Sequence, residues 1–225
     1  MLNLYTITDV NNSNSLSNRM RAKRFEFFKQ LVVTLPRPLS IVDIGGTPKF
    51  WEQCGWAGVD DFQITIVNLK MSECKHSNIK IKIGDATNLV DYSDRSFDIA
   101  FSNSAIEHLF TFENQAAMAR EVKRVGRTYW VQTPNYWFPI EPHFQFIGWQ
   151  WLPTTVRVEI LRRYACGRRG PYPDLEQARK NVREIRLLTR KELRQLFPNA
   201  HIWEERFCGL VKSCTVYSGF PVQVA

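Results

Sequence analysis

Two histidines stand in similar company along this chain. His108 closes the run S-A-I-E-H and His143 closes F-P-I-E-P-H, each with a glutamate close by, Glu107 and Glu141. An imidazole can take a proton from an alcohol or another protonated nucleophile near neutral pH, and a neighbouring carboxylate can orient it or raise its basicity. Either histidine alone is equally compatible with a structural role, so what matters is where the chain puts them. A second set of polar residues sits at the ends of short apolar runs. S-I-V-D-I carries Asp43 and is followed by Gly45-Gly46, F-Q-I-T-I-V-N-L ends in Asn68-Leu69, I-K-I-K-I is followed by Gly84-Asp85-Ala86, and F-D-I-A-F by Ser102-Asn103. Polar tips on apolar strands can hydrogen-bond a ligand, and glycine lets backbone N–H groups come close to it.

The runs are short and nearly continuous, as in strands buried on both faces of a parallel sheet. Between and around them lie helical patterns: Asn18 to about Thr34, ended by Pro36 and Pro38; a short helix near Phe50 to Cys54; Glu113 to Val125, ended by Gly126; and material near 154–165 and 174–197. A fifth strand is expected over Arg127 to Gln132. Ile202–Phe207 and Val211–Tyr217, joined by Cys208-Gly209-Leu210, predict an antiparallel hairpin closing the sheet edge. Strand alternating with helix means right-handed crossovers and a sheet covered on both sides. The expected fold is α/β, doubly wound, with a seven-stranded, mostly parallel sheet, an antiparallel C-terminal hairpin strand and helices on both faces. Ligands of such sheets bind outside the carboxyl ends of the strands, where strand order reverses. Both histidines and all the polar tips lie there.

Composition narrows the classes. With 225 residues, 44% hydrophobic and 23% charged, the chain is expected to be a single domain, and disorder, collagen and coiled coil are excluded. No apolar run approaches the roughly 18 residues of a membrane span. Met1 to Ser17 is polar and rich in Asn and Ser, unlike a secretory signal, and reads as a mobile arm. Cys54, Cys74, Cys166, Cys208 and Cys214 form no C-x-x-C pair and read as reduced thiols of a cytoplasmic protein, with no metal framework. The net charge of +8 lies wholly in the second half: residues 113–225 hold 18 Lys/Arg against 10 Asp/Glu, whereas residues 1–112 balance. That excess is either a solvated helical face or a surface attracting an anion. Residues 129–152 hold nine aromatics, among them Tyr136 and Trp137, in a proline-interrupted stretch. They suit a substrate-covering insertion, a packed cap or a dimer contact.

I-V-D-I-G-G, then a strand ending in Asn68, then G-D-A, then F-D-I-A-F-S-N-S-A-I-E-H-L together resemble the class I S-adenosylmethionine-dependent methyltransferases, and within them the methyltransferase type 11 or ubiquinone-biosynthesis-like group. The resemblance covers about residues 38–135. It implies a Rossmann-like methyltransferase fold, with 38–135 as the cofactor-binding core, 136–197 as an aromatic and basic substrate-side insertion with helices, and 198–225 as the terminal hairpin. It implies S-adenosylmethionine as cofactor, with Asp43 and Gly45-Gly46 against its methionine part, Asn68-Leu69 at the ribose, Asp85 and Ala86 at the adenine, and Ser102 and Asn103 bordering the sulfonium. Two departures stand out. The turn G-G-T-P lacks the usual third glycine, and Asn68 replaces the carboxylate that normally takes the ribose hydroxyls, so that contact loses charge assistance.

The expected reaction is O- or N-methylation of a small molecule, such as a sugar, a glycan precursor or a secondary metabolite, in which an anionic group on the acceptor would suit the arginines. His108 and His143 are the candidate catalytic groups, and Tyr136, Trp137 and Arg157 the candidate substrate contacts. Two other readings stay open: an RNA or tRNA methyltransferase, suggested by the basic second half, and a non-catalytic cofactor-binding protein. A nicotinamide-dependent oxidoreductase is disfavoured, because G-x-G-x-x-G and an acid about 20 residues on are both missing.

Overall fold

The computed structural model describes residues 16–221. Helix α1 (Leu16–Val32) leads to β1 (Leu39–Ile44), α2 (Pro48–Gln53), β2 (Phe62–Asn68), β3 (Ile79–Ile83) and β4 (Phe97–Asn103). Then come α3 (Phe112–Val125), β5 (Gly126–Pro134), a small hairpin of β6 (Ile140–Glu141) and β7 (Phe146–Ile147), and α4 (Thr154–Arg163), α5 (Leu175–Glu184) and α6 (Arg190–Leu196). The final strands are β8 (His201–Phe207) and β9 (Leu210–Ser218). The expected arm over 1–17 lies outside the described residues, except that Leu16 and Ser17 open α1.

The main sheet has seven strands in the order β3-β2-β1-β4-β5-β9-β8. β1 to β5 pair in parallel, and β9 runs antiparallel between β5 and β8. The order reverses between β1 and β4, and a doubly wound sheet opens its ligand crevice at that point. The period of two along each strand divides the core. Leu39 and Ile41 of β1 face the side of α1 and α2, among Phe28, Trp51, Trp56, Phe101 and Trp130. Val42 and Ile44 face the other side, with Met118 and Val122 of α3 and Leu193 and Leu196 of α6. A third, smaller core of Phe144, Trp149, Val158, Leu161, Val182 and Leu187 belongs to the insertion and its helices. The expected helical stretch over 174–197 is two helices, because Thr189 begins a new one through a capping box with Glu192. Most strands and helices stand within a few residues of their expected places. The β6–β7 hairpin was not foreseen, since two-residue strands leave no period to read.

Candidate active site and cofactor cleft

The crevice is built from the tips of β1 to β5, tied in pairs. Gly45 N–H donates to the Val67 carbonyl at 2.8 Å, Gly84 N–H to Asn68 at 3.0 Å and Ser104 N–H to Gln132 at 3.0 Å. Gly45 has φ +81°, and a Cβ there would sit 2.5 Å from the Ala105 methyl, so the β1 turn and the loop after β4 touch only because Gly45 has no side chain. A Cβ on Gly46 would overlap the Asp43 carboxylate. Asn68, at the tip of β2, donates its amide to the Gly46 carbonyl at 3.0 Å. This asparagine therefore holds the glycine turn, which a carboxylate could not do.

Asp43 shares the strand face of Leu39 and Ile41, so its side chain passes beneath α2 and is almost wholly buried. Its Oδ2 accepts from Trp51 Nε1 at 2.7 Å, and Oδ1 has no hydrogen-bond partner. Burial raises its pKa to about 7 against the partial relief of the Trp51 bond. Asp85 is exposed, and its Oδ1 accepts from both the N–H and the hydroxyl of Thr87 at 2.8 Å, which sets the turn after β3. Ala86 packs against the α3 side of the core, and Leu69 stands 74% exposed beyond Asn68. Ser102 is fully buried, with its hydroxyl donated to the Ile44 carbonyl at 2.9 Å, so its side chain joins β4 to β1 inside the sheet. Asn103 Oδ1 accepts from Arg24 Nη1 at 2.7 Å.

The two histidines come together although 35 positions separate them in the sequence: their rings lie 4.9 Å apart, edge to face. His143 Nδ1 is 2.7 Å from Glu141 Oε1, while Glu141 Oε2 accepts the backbone N–H of His143 and of Phe144 at 2.7 Å. His143 Nε2 lies 3.9 Å from Glu107 Oε1. Glu107 is fully buried; its Oε2 accepts from Thr133 at 3.0 Å, and its Oε1 has no hydrogen-bond partner. His108 Nδ1 lies 3.2 Å from Glu184 Oε1, and Arg169 holds Glu184 through both terminal nitrogens. Burial raises the Glu107 pKa, opposed by the two histidines and the Thr133 bond. Burial also works against charge on His143, but the bond to Glu141 and the charges of Glu141 and Glu107 outweigh it and raise its pKa. The turn carrying Glu107 and His108 is fixed by Gln115, which donates to Ile106 and Arg186 carbonyls, and by Arg186 N–H donating to the Glu107 carbonyl.

A cationic cluster lies at the same end of the sheet. Arg24 makes a buried pair with Glu205 at 3.1 Å. Arg21 has its pKa lowered by burial first, then by the charges of Arg24 and Arg168. Lys212 is likewise lowered by burial, with Arg24 and Arg21 adding repulsion and Glu205 opposing it. Arg21, Arg24 and Lys212 thus gather around one buried carboxylate. Helix α1 brings two of them, so the crevice is basic on a side that the sequence reading did not mark. The spacing of Arg21 and Arg24 on one helix face was the available signal. Many arginines of the second half are instead paired: Arg162 and Arg163 with Glu159, Arg179 with Glu176, Arg186 with Glu192 and Arg190 with Glu204. Arg157 is half-buried, donates to Thr154 at 3.1 Å and has a buried Nε without a partner. Tyr136 is half-buried, its hydroxyl 3.4 Å from the Gln150 carbonyl, whereas Trp137 is 63% exposed and meets Tyr136 edge to face.

This sheet order, with its crevice between β1 and β4 and its reversed β9, is the class I methyltransferase fold. Residues 51–128 match the family model described as methyltransferase domain. Over that stretch the chain is similar to methyltransferase domains, and the fold is the one that S-adenosylmethionine-dependent methyltransferases share. An uncharacterized protein of Mycobacterium tuberculosis, recorded from two strains, is 40% identical over 71 residues, 32% of this chain. The match spans only 22% of that relative's length. Among solved structures, a SAM-dependent methyltransferase of Methanosarcina mazei shares the fold at TM-score 0.51 and 15% identity over 84% of this chain and 94% of that one. A Bordetella parapertussis protein described as a possible exported protein does so at TM-score 0.53 and 12% identity, over 90% and 68% of the two chains. Among the described residues, no helix is long and apolar enough to cross a membrane.

Proposed function

We propose that this protein transfers the methyl group of S-adenosylmethionine to an oxygen or nitrogen of a small, anionic acceptor such as a sugar, a glycan precursor or a secondary metabolite. The observation that supports the acceptor class is the cluster of Arg21, Arg24 and Lys212 around Glu205, next to the tip of β4. Its cations are partly desolvated and repel one another, and an anion entering the crevice would relieve both penalties.

What supports the cofactor site is the bare glycine turn and what the crevice leaves unsatisfied. Gly45 and Gly46 set no side chain over the tip of β1, and Asp43 Oδ1 is a buried acceptor without a donor among the described residues. In this reading the turn and Asp43 hold the amino-acid part, Asn68 offers its amide oxygen to the ribose, and Asp85 keeps its second carboxylate oxygen for the adenine amino group beside the Ala86 N–H. S-adenosylmethionine supplies a methyl carbon already activated by a sulfonium, so the chain's task is to align the acceptor and exclude water. Tyr136, Trp137 and Arg157 of the insertion wall the acceptor side. His143, with Nδ1 tied to Glu141, and His108, fixed by Glu184, are the groups beside the acceptor. Ser102 acts from within the sheet by holding β4 against β1, and Asn103 by joining the β4 tip to Arg24.

Calorimetry with S-adenosylhomocysteine and methyl transfer from labelled S-adenosylmethionine test this reading. Binding, with label appearing in anionic small molecules, is the expected result. Label appearing in tRNA at low salt would favour a nucleic-acid acceptor. No binding at millimolar concentration would mean that the cleft is vestigial.

A further inference from the structure

We propose that Glu107, His108 and His143 form a binding site for a divalent first-row transition cation of the zinc class. One ligand atom from each of the three side chains lies within 4.8 Å of the other two. Glu107 is fully buried and its Oε1 has no hydrogen-bond donor among the described residues, where His143 Nε2 at 3.9 Å is too far to supply one. An uncompensated carboxylate oxygen inside a protein is unfavourable, and a cation seated between Oε1 and the two imidazoles would satisfy it.

The outer partners agree with this. A metal-ligating histidine almost always commits its other ring nitrogen to a carboxylate or carbonyl, which fixes the ring and leaves one lone pair for the ion. Both histidines do so here: His143 Nδ1 with Glu141 and His108 Nδ1 with Glu184, leaving Nε2 of each ring as the ligand. Glu141 is locked by two backbone N–H groups, Glu184 by Arg169 and Glu107 by Thr133. With bonds of about 2.1 Å, two ligands of a tetrahedral centre stand about 3.4 Å apart. The 3.9 Å between Glu107 and His143 would close by a small rotation of either side chain. Two imidazoles and a carboxylate suit zinc, iron, manganese or cobalt better than magnesium or calcium, which prefer all-oxygen sets.

Three protein ligands leave open positions, and an acceptor bearing a hydroxyl, with a second oxygen able to chelate, would fill them. That role in methyl transfer rests on the function proposed above. The site itself rests on the three side chains alone.

The test is titration of the full chain, stripped with EDTA, with Co2+, followed by visible absorption and by metal analysis after gel filtration. S-adenosylhomocysteine calorimetry on the same samples reports on the cleft independently. The expected result is one equivalent of cobalt, bound at least a hundredfold more weakly after Glu107→Gln or His143→Ala, and ten- to a hundredfold more weakly after Glu184→Gln, which removes only an orienting charge. Should Glu107→Gln prove misfolded, His108→Ala, at the half-exposed rim, gives the same reading. No cobalt retained, or equal affinity in all variants, overturns the proposal. Cobalt bound at the triad by a chain that does not bind S-adenosylhomocysteine upholds the metal site and removes the cofactor reading instead.

Discussion

Asp43 gives this fold a pH dependence that one substitution should abolish. Its carboxyl is buried beneath α2, with a single hydrogen bond from Trp51 and an unpartnered Oδ1, and burial lifts its pKa from 3.8 to about 7. The folded state therefore holds a proton that the unfolded chain releases at lower pH. The stability tied to that proton is fully present below about pH 4 and is lost as pH rises to about 7, at about 1.4 kcal/mol per unit, or about 4 kcal/mol over the window. Asp43→Asn keeps an acceptor for Trp51 and never ionises, and its amide N–H₂ replaces the O–H that the protonated carboxyl presents at the unpartnered Oδ1. The two proteins should therefore differ little near pH 4.5, and Asp43→Asn should be the more stable one by about 3 kcal/mol at pH 8. Urea unfolding of both proteins from pH 4.5 to 8.5 measures this, since all other titrating groups are common and cancel in the difference. A difference that stays constant across that range would refute the reasoning.

Four further substitutions test the cleft and the cationic cluster beside it. Gly46→Ala puts a methyl group into the Asp43 carboxylate, so the turn must shift; unfolding should show a loss of about 1–3 kcal/mol, and S-adenosylhomocysteine affinity should fall at least tenfold. Asn68→Asp offers a ribose a charged acceptor, yet it removes the donor to the Gly46 carbonyl and sets two oxygens against each other. Cofactor binding should weaken, and tighter binding in calorimetry would contradict the role given to this amide. Asp85→Ala frees Thr87 and removes the proposed adenine contact, and should reduce cofactor affinity while leaving the midpoint of urea unfolding nearly unchanged. Arg21→Ala should raise KM for an anionic acceptor severalfold, with little effect on cofactor binding, if the cluster around Glu205 is the acceptor's anion site.

The sheet was legible because its strands are short, apolar and β-branched, and because glycine or polar residues mark each carboxyl end. Asp43, Gly45, Asn68 and Asp85 could be placed at one rim for that reason alone. What their side chains do there was less open to reading. Ser102 sits on a strand that faces a core on both sides, so its polarity is absorbed by the Ile44 carbonyl one strand away, a contact 58 residues distant in sequence. The alternation that buries Leu39 and Ile41 also turns Asp43 under Trp51, and that much could have been counted from the strand. Glu184 gave no signal, because a glutamate in the last turn of an amphipathic helix looks solvated until Arg169 and His108 close on it.

The insertion explains why a histidine so far along the chain belongs to the site. β5 ends at Pro134, and the chain between there and α4 contributes Glu141, His143, Phe144 and Trp149, of which Phe144 and Trp149 stack at 4.2 Å within the insertion's own core. Arg169 lies over the Phe144 ring at 5.3 Å while it holds Glu184. The aromatic residues therefore act less as a stacking surface for a ligand than as a rigid block that sets two carboxylates behind two imidazoles. Such a block converts loops into fixed geometry, since side chains locked by packing and outer hydrogen bonds hold a site far more closely than free loops do. By that argument, loosening the block with Phe144→Ala should disturb His143 and Arg169 together. Cobalt affinity at the triad should then fall while cofactor binding, which depends on the β1 and β2 tips, stays near that of the wild type. Equal loss of both would show that the insertion and the cofactor cleft form one cooperative unit.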